Sequence, residues 1–192
     1  MNRRQYLHGV AAGSTLLAGC GGSDSSNGGG GTGTDTSLAL VATPFDDGEE
    51  IPPRYTCEGD DVNPELQISG VVDRAETLTL LVDDPDAGST PFVHWLLWNV
   101  PASVETIPES VAAEERPPFA DGARQGTNGA GEIGYMGPCP PTGDGTHSYR
   151  FRLSAVASTL ELAAGADRNE LEAALEGELI DSVTLTGTFE RA

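Results

Sequence analysis

From Ser37 onward the sequence predicts an all-β domain of short strands, either a sandwich or a barrel. Two stretches, 77–82 and 148–156, alternate apolar and polar side chains, as strands with one buried face do. A third stretch, 93–100, is apolar on both faces, as expected of a central strand. The chain contains 25 glycines and 13 prolines, enough to supply the many turns that short strands require.

The predicted strands can be described by the side chains that share a face. In the first strand, Leu78 and Leu80 lie on the same face. In the strand over 148–156, the face that carries Tyr149 is apolar, and the opposite face carries arginines. The segment 183–189 alternates in the same way and predicts a last strand near the C-terminus.

One small helix is predicted between the last two strands. The sequence Asp167-Arg168-Asn169-Glu170 resembles a capping box, in which the first and fourth residues satisfy free backbone amides at a helix start. Leu171 and Leu175 follow one turn apart and form an apolar face. Earlier in the chain, residues 101–134 have weak periodicity and many Glu, Pro and Gly, which predicts a long surface loop.

The start of the chain predicts export. Arg3-Arg4 and the short apolar stretch after them resemble a twin-arginine (Tat) signal. The sequence Leu17-Ala18-Gly19-Cys20 resembles the cleavage box of a lipoprotein, with Cys20 as the lipidated residue. Residues 1–19 are therefore predicted to be a Tat-type lipoprotein signal peptide.

A flexible tether is predicted to follow the signal. Residues 20–36 are almost entirely Gly, Ser, Thr, Asp and Asn, a composition that cannot bury a core. Residues 37–192 then form the folded domain. Together these segments predict a protein that is exported and lipid-anchored to the outer face of the cytoplasmic membrane, with the lipid as its only membrane contact.

The charge of the chain limits its partners. It has 30 acidic residues, 10 arginines and no lysine, for a net charge of -20. Such a field repels nucleic acids and anionic membrane surfaces, which excludes both as main partners. An acidic surface without lysine is typical of extreme halophiles, because the Debye length falls to about 3 Å at 1 M salt. The composition therefore predicts a halophilic protein, with an ordinary acidic protein from a GC-rich genome as the alternative.

Two cysteines, Cys57 and Cys139, remain in the predicted exported domain. Thiols in an oxidising compartment are candidates for a disulfide. The sequence also allows two separate buried thiols.

Two histidines remain after residue 36, and each has unusual neighbours. His94 stands in the most apolar stretch of the chain, a few residues after Asp84 and Asp86 at a predicted strand end. His147 opens the strand that carries Tyr149, and alternation places both on the face directed toward the core. A loop rich in proline and glycine precedes His147, and its stiff backbone suits the rim of a small cavity.

These residues leave four interpretations open. Two histidines and an aspartate could hold a metal, but no closely spaced His-x-His or His-x-x-x-His pair is present. They could form a hydrolytic site, but no serine lies in a Gly-x-Ser-x-Gly context. The histidines could be satisfied core side chains. Lastly, imidazole and phenol donors could bind a phosphate or carboxylate while an aspartate fixes a tautomer.

The same residues resemble two signature blocks of the phosphatidylethanolamine-binding protein family, also called the Raf kinase inhibitor protein family. The first block is Asp84-Pro85-Asp86 with His94-Trp95. The second is Gly137-Pro138-Cys139-Pro140-Pro141 with Gly145-Thr146-His147-Ser148-Tyr149, in which Ser148 replaces an arginine usual in the family. Flanking pieces such as Ile51-Pro52-Pro53-Arg54-Tyr55-Thr56-Cys57 resemble the bacterial and archaeal YbhB/YbcL-like branch, and the resemblance spans roughly residues 40–191.

The resemblance implies a sandwich of two antiparallel sheets and a pocket for phosphate-like anions such as a phospholipid headgroup. It implies non-enzymatic binding without a metal or other cofactor. The implied ligand-binding residues are Asp84, Asp86, His94, Gly137, Pro140, Pro141, His147 and Tyr149.

Two other functions remain open beside ligand binding. Some members of the family act as inhibitors or regulators of partner proteins, and for an exported chain an extracellular serine protease is the more accessible target. An unrecognised hydrolase is the third possibility, because a shared fold does not determine function.

Overall fold

The computed structural model describes residues 37–191, so the predicted signal peptide, Cys20 and the predicted tether lie outside the described residues. Eight strands and one α-helix form within that range, and the all-β prediction is confirmed. No helix in the same range is long and apolar enough to cross a membrane. The elements are β1 (Ala39–Ala42), β2 (Leu66–Ser69), β3 (Thr77–Asp84), β4 (Phe92–Pro101), β5 (Thr106–Ile107), β6 (Arg124–Gln125), β7 (His147–Val156), α1 (Arg168–Leu175) and β8 (Leu179–Phe189).

The strands form two antiparallel sheets that enclose the main core. The smaller sheet has the order β1-β2-β5, and the larger has the order β6-β4-β3-β7-β8. Buried side chains of the smaller sheet, such as Leu40 and Leu66, pack in one cluster with Leu80, Trp95 and Phe151 of the larger sheet. This face-to-face packing confirms the predicted two-sheet sandwich.

The outer face of the larger sheet is also covered, which explains why β4 is apolar on both faces. Leu81, Leu96 and Trp98 pack there against Leu160 and against Leu171 of α1. The helix begins at the predicted capping box: the Asp167 carboxylate accepts the Glu170 amide at 3.0 Å, and the Glu170 carboxylate accepts the Asp167 amide at 2.9 Å.

The prediction of a long surface loop over residues 101–134 was wrong in part. That segment contributes β5 to the smaller sheet and β6 to the larger one. Gln125 of β6 is buried, and its side-chain oxygen accepts the indole N–H of Trp95 at 2.6 Å. Strands of two residues are too short to display a period of two, so the sequence pattern could not reveal them.

Antiparallel pairing brings the polar blocks to one end of the larger sheet. Asp84 at the end of β3 pairs with Phe92 at the start of β4, and the neighbouring Asp83 pairs with Arg150 near the start of β7. His94 and His147 therefore lie close to the end of β3, although they are 53 positions apart in the chain.

Adjacent aspartates at that strand end face opposite sides of the sheet. Asp83 is fully buried on the outer face, where its carboxylate accepts two hydrogen bonds from Arg150 at 2.8 and 2.7 Å and one from Arg168 at 3.0 Å. Asp84 points the other way, into a cavity on the inner side of the sheet. Alternation along β3 thus separates a structural carboxylate from a candidate functional one.

Candidate functional site

A cavity of about 220 Å³ lies at this end of the larger sheet. This volume is below that of the pockets that usually hold drug-sized ligands, so the cavity suits a smaller molecule or a headgroup. Five of the eight residues predicted to bind ligand form part of its wall. The lining residues are Asp84, Ala87, Phe92, His94, Met136, Cys139, Pro140, Pro141, Asp144 and His147.

His147 and Asp84 form a buried pair at the base of the cavity. Nδ1 of His147 lies 2.8 Å from Oδ2 of Asp84, and a carboxylate can only accept, so Nδ1 carries the proton. The other Asp84 oxygen accepts the backbone amide of Asp86 at 2.7 Å. The hydrogen bond to Asp84 raises the pKa of His147 against the opposing effect of desolvation. Asp84 therefore holds the ring in one orientation and stabilises its protonated form.

The second nitrogen of His147 faces a second carboxylate. Nε2 lies 3.3 Å from Oδ2 of Asp144, whose side chain is 59% exposed. Since Nδ1 already donates to Asp84, Nε2 carries a hydrogen only when the ring is protonated. In that state His147 donates from both nitrogens.

His94 lies in a different electrostatic setting. Its Nδ1 lies 2.7 Å from the carbonyl oxygen of Met136, so Nδ1 is the protonated nitrogen and donates. Burial lowers the pKa of His94, although nearby Asp84 and Asp61 oppose that shift. At neutral pH the ring is therefore uncharged, and its Nε2 is an acceptor. Phe92 and Tyr149 pack edge-on against it, with ring centroids 5.0 and 5.2 Å away.

Three of the predicted residues are adjacent to the cavity and do not line it. Tyr149 lies behind His94, and its buried hydroxyl has no hydrogen-bond partner among the described residues. Burial, with the nearby Asp84 carboxylate, raises its pKa, so it stays a neutral donor. Asp86 accepts the amide of Ser148 at 2.8 Å, and Gly137 donates to Asp61 at 2.6 Å. Asp86 and Gly137 thus hold the walls in place through backbone contacts.

The rim of the cavity is tied to the segment around residues 53–61. A disulfide joins Cys57 to Cys139, with Cα atoms 5.4 Å apart. The amide of Cys57 also donates to the Pro138 carbonyl at 3.1 Å. Gly137 is required at its position because a Cβ there would lie 2.5 Å from the Tyr55 carbonyl oxygen. These links hold the rim that carries Pro140 against the sandwich.

Sequence reasoning assigned no role to Asp144, Phe92 or Met136. Asp144 stands three positions before His147, between two glycines of the rim loop, and this spacing was the available signal. The sequence gives no signal for Phe92 and Met136, because an apolar residue that lines a cavity has the same sequence pattern as an apolar residue in a core. Within residues 37–191, no group of three or more His, Cys, Asp or Glu is arranged to hold a metal ion.

The chain was compared with known families and proteins. A family model described as "Phosphatidylethanolamine-binding protein" matches residues 41–190. A UPF0098 protein of Pyrococcus abyssi is 46% identical over 154 residues, which cover 80% of this chain and 86% of that protein. A Mycobacterium tuberculosis protein named "Putative lipoprotein LppC" is 37% identical over 154 residues, which cover 80% of this chain and 72% of that protein.

A solved structure also matches the fold. The crystal structure of YbcL from Escherichia coli, described as a member of the mammalian PEBP family, superposes with a TM-score of 0.75. Its sequence is 27% identical, and the match covers 81% of this chain and 99% of YbcL.

Proposed function

Because the chain belongs to the phosphatidylethanolamine-binding protein family, we propose that its cavity reversibly binds the anionic group of a small phosphate-like ligand. The shared chemistry is a tetrahedral oxyanion, either free or at the end of a phospholipid headgroup. His147 and His94 would donate to the anion. Family membership by itself supports a binding type of function, and the ligand class rests on the geometry.

The observation that carries this proposal is the contact between His147 and Asp144. An anionic oxygen already lies 3.3 Å from Nε2 of His147 at the cavity wall. Asp84 offsets the cost of protonating the buried ring, so the second N–H is available to an anion when the ring is charged. Charge-assisted hydrogen bonds of this kind contribute on the order of 1.5–3 kcal/mol each.

His94 would donate a hydrogen bond to the anion only after its ring takes up a proton. In the free protein its Nε2 presents a lone pair, which repels an anion. A bound anion favours the imidazolium form, in which both ring nitrogens donate. Binding should therefore raise the pKa of His94 and draw a proton from solution.

A binding role fits the composition of the wall better than catalysis does. The lining residues include no serine, threonine or lysine, and Cys139 is part of the disulfide. Nucleophilic catalysis through one of those groups has no candidate on this wall. The proposal accordingly involves no covalent step.

We expect affinity for an oxyanion of constant charge to fall as pH rises. If binding raises the pKa of His94, the protein has its full affinity below the pKa of the free protein. The affinity then falls as the pH rises from that pKa toward the higher pKa of the complex. Burial lowers the pKa of His94 in the free protein, against the opposing effect of the Asp84, Asp61 and Asp83 carboxylates. The ring also packs against Tyr149 and shares the cavity wall with His147. The decline should therefore begin below the usual histidine pKa of about 6.5.

Calorimetric titration with sulfate from about pH 5 to about pH 8 measures this dependence, because sulfate keeps its double negative charge throughout. Titrations in two buffers of different ionisation enthalpy measure the proton uptake. Parallel titrations with inorganic phosphate and phosphoethanolamine at matched ionic strength distinguish a free anion from a headgroup. Affinity that is independent of pH, without proton uptake, would contradict the role of His94.

We also propose that the domain is exported and lipid-anchored through Cys20. Support comes from the Arg3-Arg4 pair, the Leu17-Ala18-Gly19-Cys20 sequence and the similarity to LppC. Replacing Cys20 with serine should move the protein from the membrane fraction to the medium of its own cells, because the attachment point for lipid is removed. Ser25→Ala in the same segment is the matched control. A Cys20→Ser protein that stays with the membranes would refute the anchor.

A further inference from the structure

We propose that Asp144 is an internal competitor for the anion subsite, which makes the site select doubly charged oxyanions over carboxylates. This inference rests on the proposed function, because it concerns the same donor of His147. Asp144 would leave that donor when a ligand binds and return when the ligand leaves.

The competition follows from the contacts of His147. Nδ1 of the ring is committed to the buried Asp84 at 2.8 Å, which leaves Nε2 as the donor directed toward a ligand. Oδ2 of Asp144 lies 3.3 Å from that nitrogen, and Asp144 itself forms part of the cavity wall. An anion cannot take the Nε2 hydrogen bond while the Asp144 carboxylate holds it. Their mutual repulsion also raises the cost of binding beside it.

The position of Asp144 allows it to move without disturbing the sandwich. Its side chain is 59% exposed and, within the described part of the chain, contacts only His147 through a hydrogen bond. Gly143 and Gly145 flank it with φ angles of 81° and 91°, and the space beside each glycine is open.

The segment that would move with Asp144 is bounded on both sides. Pro140 and Pro141 stiffen the chain before it, and the Thr146 hydroxyl donates to Glu190 at 2.8 Å after it. Only about four residues, 142–145, need to change conformation.

An intramolecular competitor determines which external anions can bind. A tethered carboxylate acts at an effective concentration in the range of millimolar or above, so a free carboxylate of equal charge gains nothing by replacing it. A phosphate or sulfate dianion offers His147 more charge and further acceptor oxygens for His94. The wild-type site should therefore accept dianionic tetrahedral oxyanions and reject acetate.

Two variants remove the competitor while the fold is retained. Asp144→Asn removes the negative charge with little change in shape, and Asp144→Ala removes the acceptor as well. Both should bind inorganic phosphate at least threefold more tightly than the wild type, and acetate should become a measurable ligand. Asp121→Asn, in an exposed loop away from the cavity wall, removes one charge from the whole molecule and is the matched control. It should leave phosphate affinity unchanged.

Calorimetry with phosphate and with acetate at fixed pH and ionic strength measures these affinities. NMR of the imidazole nitrogens supplies a second readout in the free protein, where Asp144→Asn should lower the pKa of His147 because it removes a neighbouring carboxylate.

Phosphate affinity in both Asp144 variants that equals or falls below the wild-type value would overturn this inference alone. If neither the wild type nor the two Asp144 variants bind any oxyanion, both this inference and the proposed function are overturned.

Discussion

We expect His147→Asn to weaken phosphate binding at least tenfold, a change of about 1.4 kcal/mol or more. The asparagine amide can take the place of Nδ1 and keep a donor for the buried Asp84 carboxylate. It has no atom in the place of Nε2, so the donor directed toward the ligand is lost. The substitution therefore separates ligand binding from the structural pairing with Asp84, which alanine would not do.

Calorimetric titration with inorganic phosphate, together with thermal unfolding of the same samples, measures both properties. The melting temperature should change little, because the buried carboxylate keeps a partner. Thr159→Ala is the matched control, since its exposed hydroxyl donates to Glu76 and lies outside the cavity wall. Wild-type affinity in His147→Asn would place the anion elsewhere and leave His147 a purely structural residue.

The second large effect is expected from loss of the disulfide. Cys57 and Cys139 are 82 positions apart, so their bond closes a long loop in the unfolded chain. The chain-entropy model gives about 4.5 kcal/mol of stabilisation for a loop of this length. Replacing both cysteines with serine should lower the free energy of unfolding by about that amount.

Denaturant unfolding at constant salt measures the difference between the double variant and the wild type. The wild type unfolded in the presence of a dithiol reductant is the control, and it should match the double variant. The hydrogen bonds from Cys57 to Pro138 and from Gly137 to Asp61 remain in the variant, so the folded form should keep its cavity rim. Reactive thiols at both Cys57 and Cys139 in denatured, unreduced wild-type protein would show that the bond is absent.

Local sequence patterns correctly predicted the elements that depend on residues close together in the chain. The burial of alternate residues in the first half of β7, from His147 to Phe151, follows the predicted period of two. The capping box at Asp167 and Glu170 also has the predicted contacts, because its partners are only three positions apart. Such features depend on a few neighbouring residues and therefore appear in the sequence itself.

Short or exposed elements escaped the same reasoning. β8 begins at Leu179, four residues before the predicted strand, and Leu179 is 53% exposed. An edge strand with little burial at its start has no need for apolar alternation, so its beginning leaves no pattern. β5 and β6 are held by pairing with longer strands, and this long-range support has no local signature.

Sequence patterns by themselves determined the all-β class, the buried central strand and the capped helix. The residue blocks that resemble the family implied the sandwich. Tertiary structure decided how those blocks meet: Asp84 on one nitrogen of His147 and Asp144 at the other, Tyr149 behind His94, and Cys57 bonded to Cys139. The physical reason is the range of each interaction. Periodicity and capping are set by neighbours within a turn or a strand, whereas the protonation of His94 and His147 depends on burial and on carboxylates that only the packed sheets bring together.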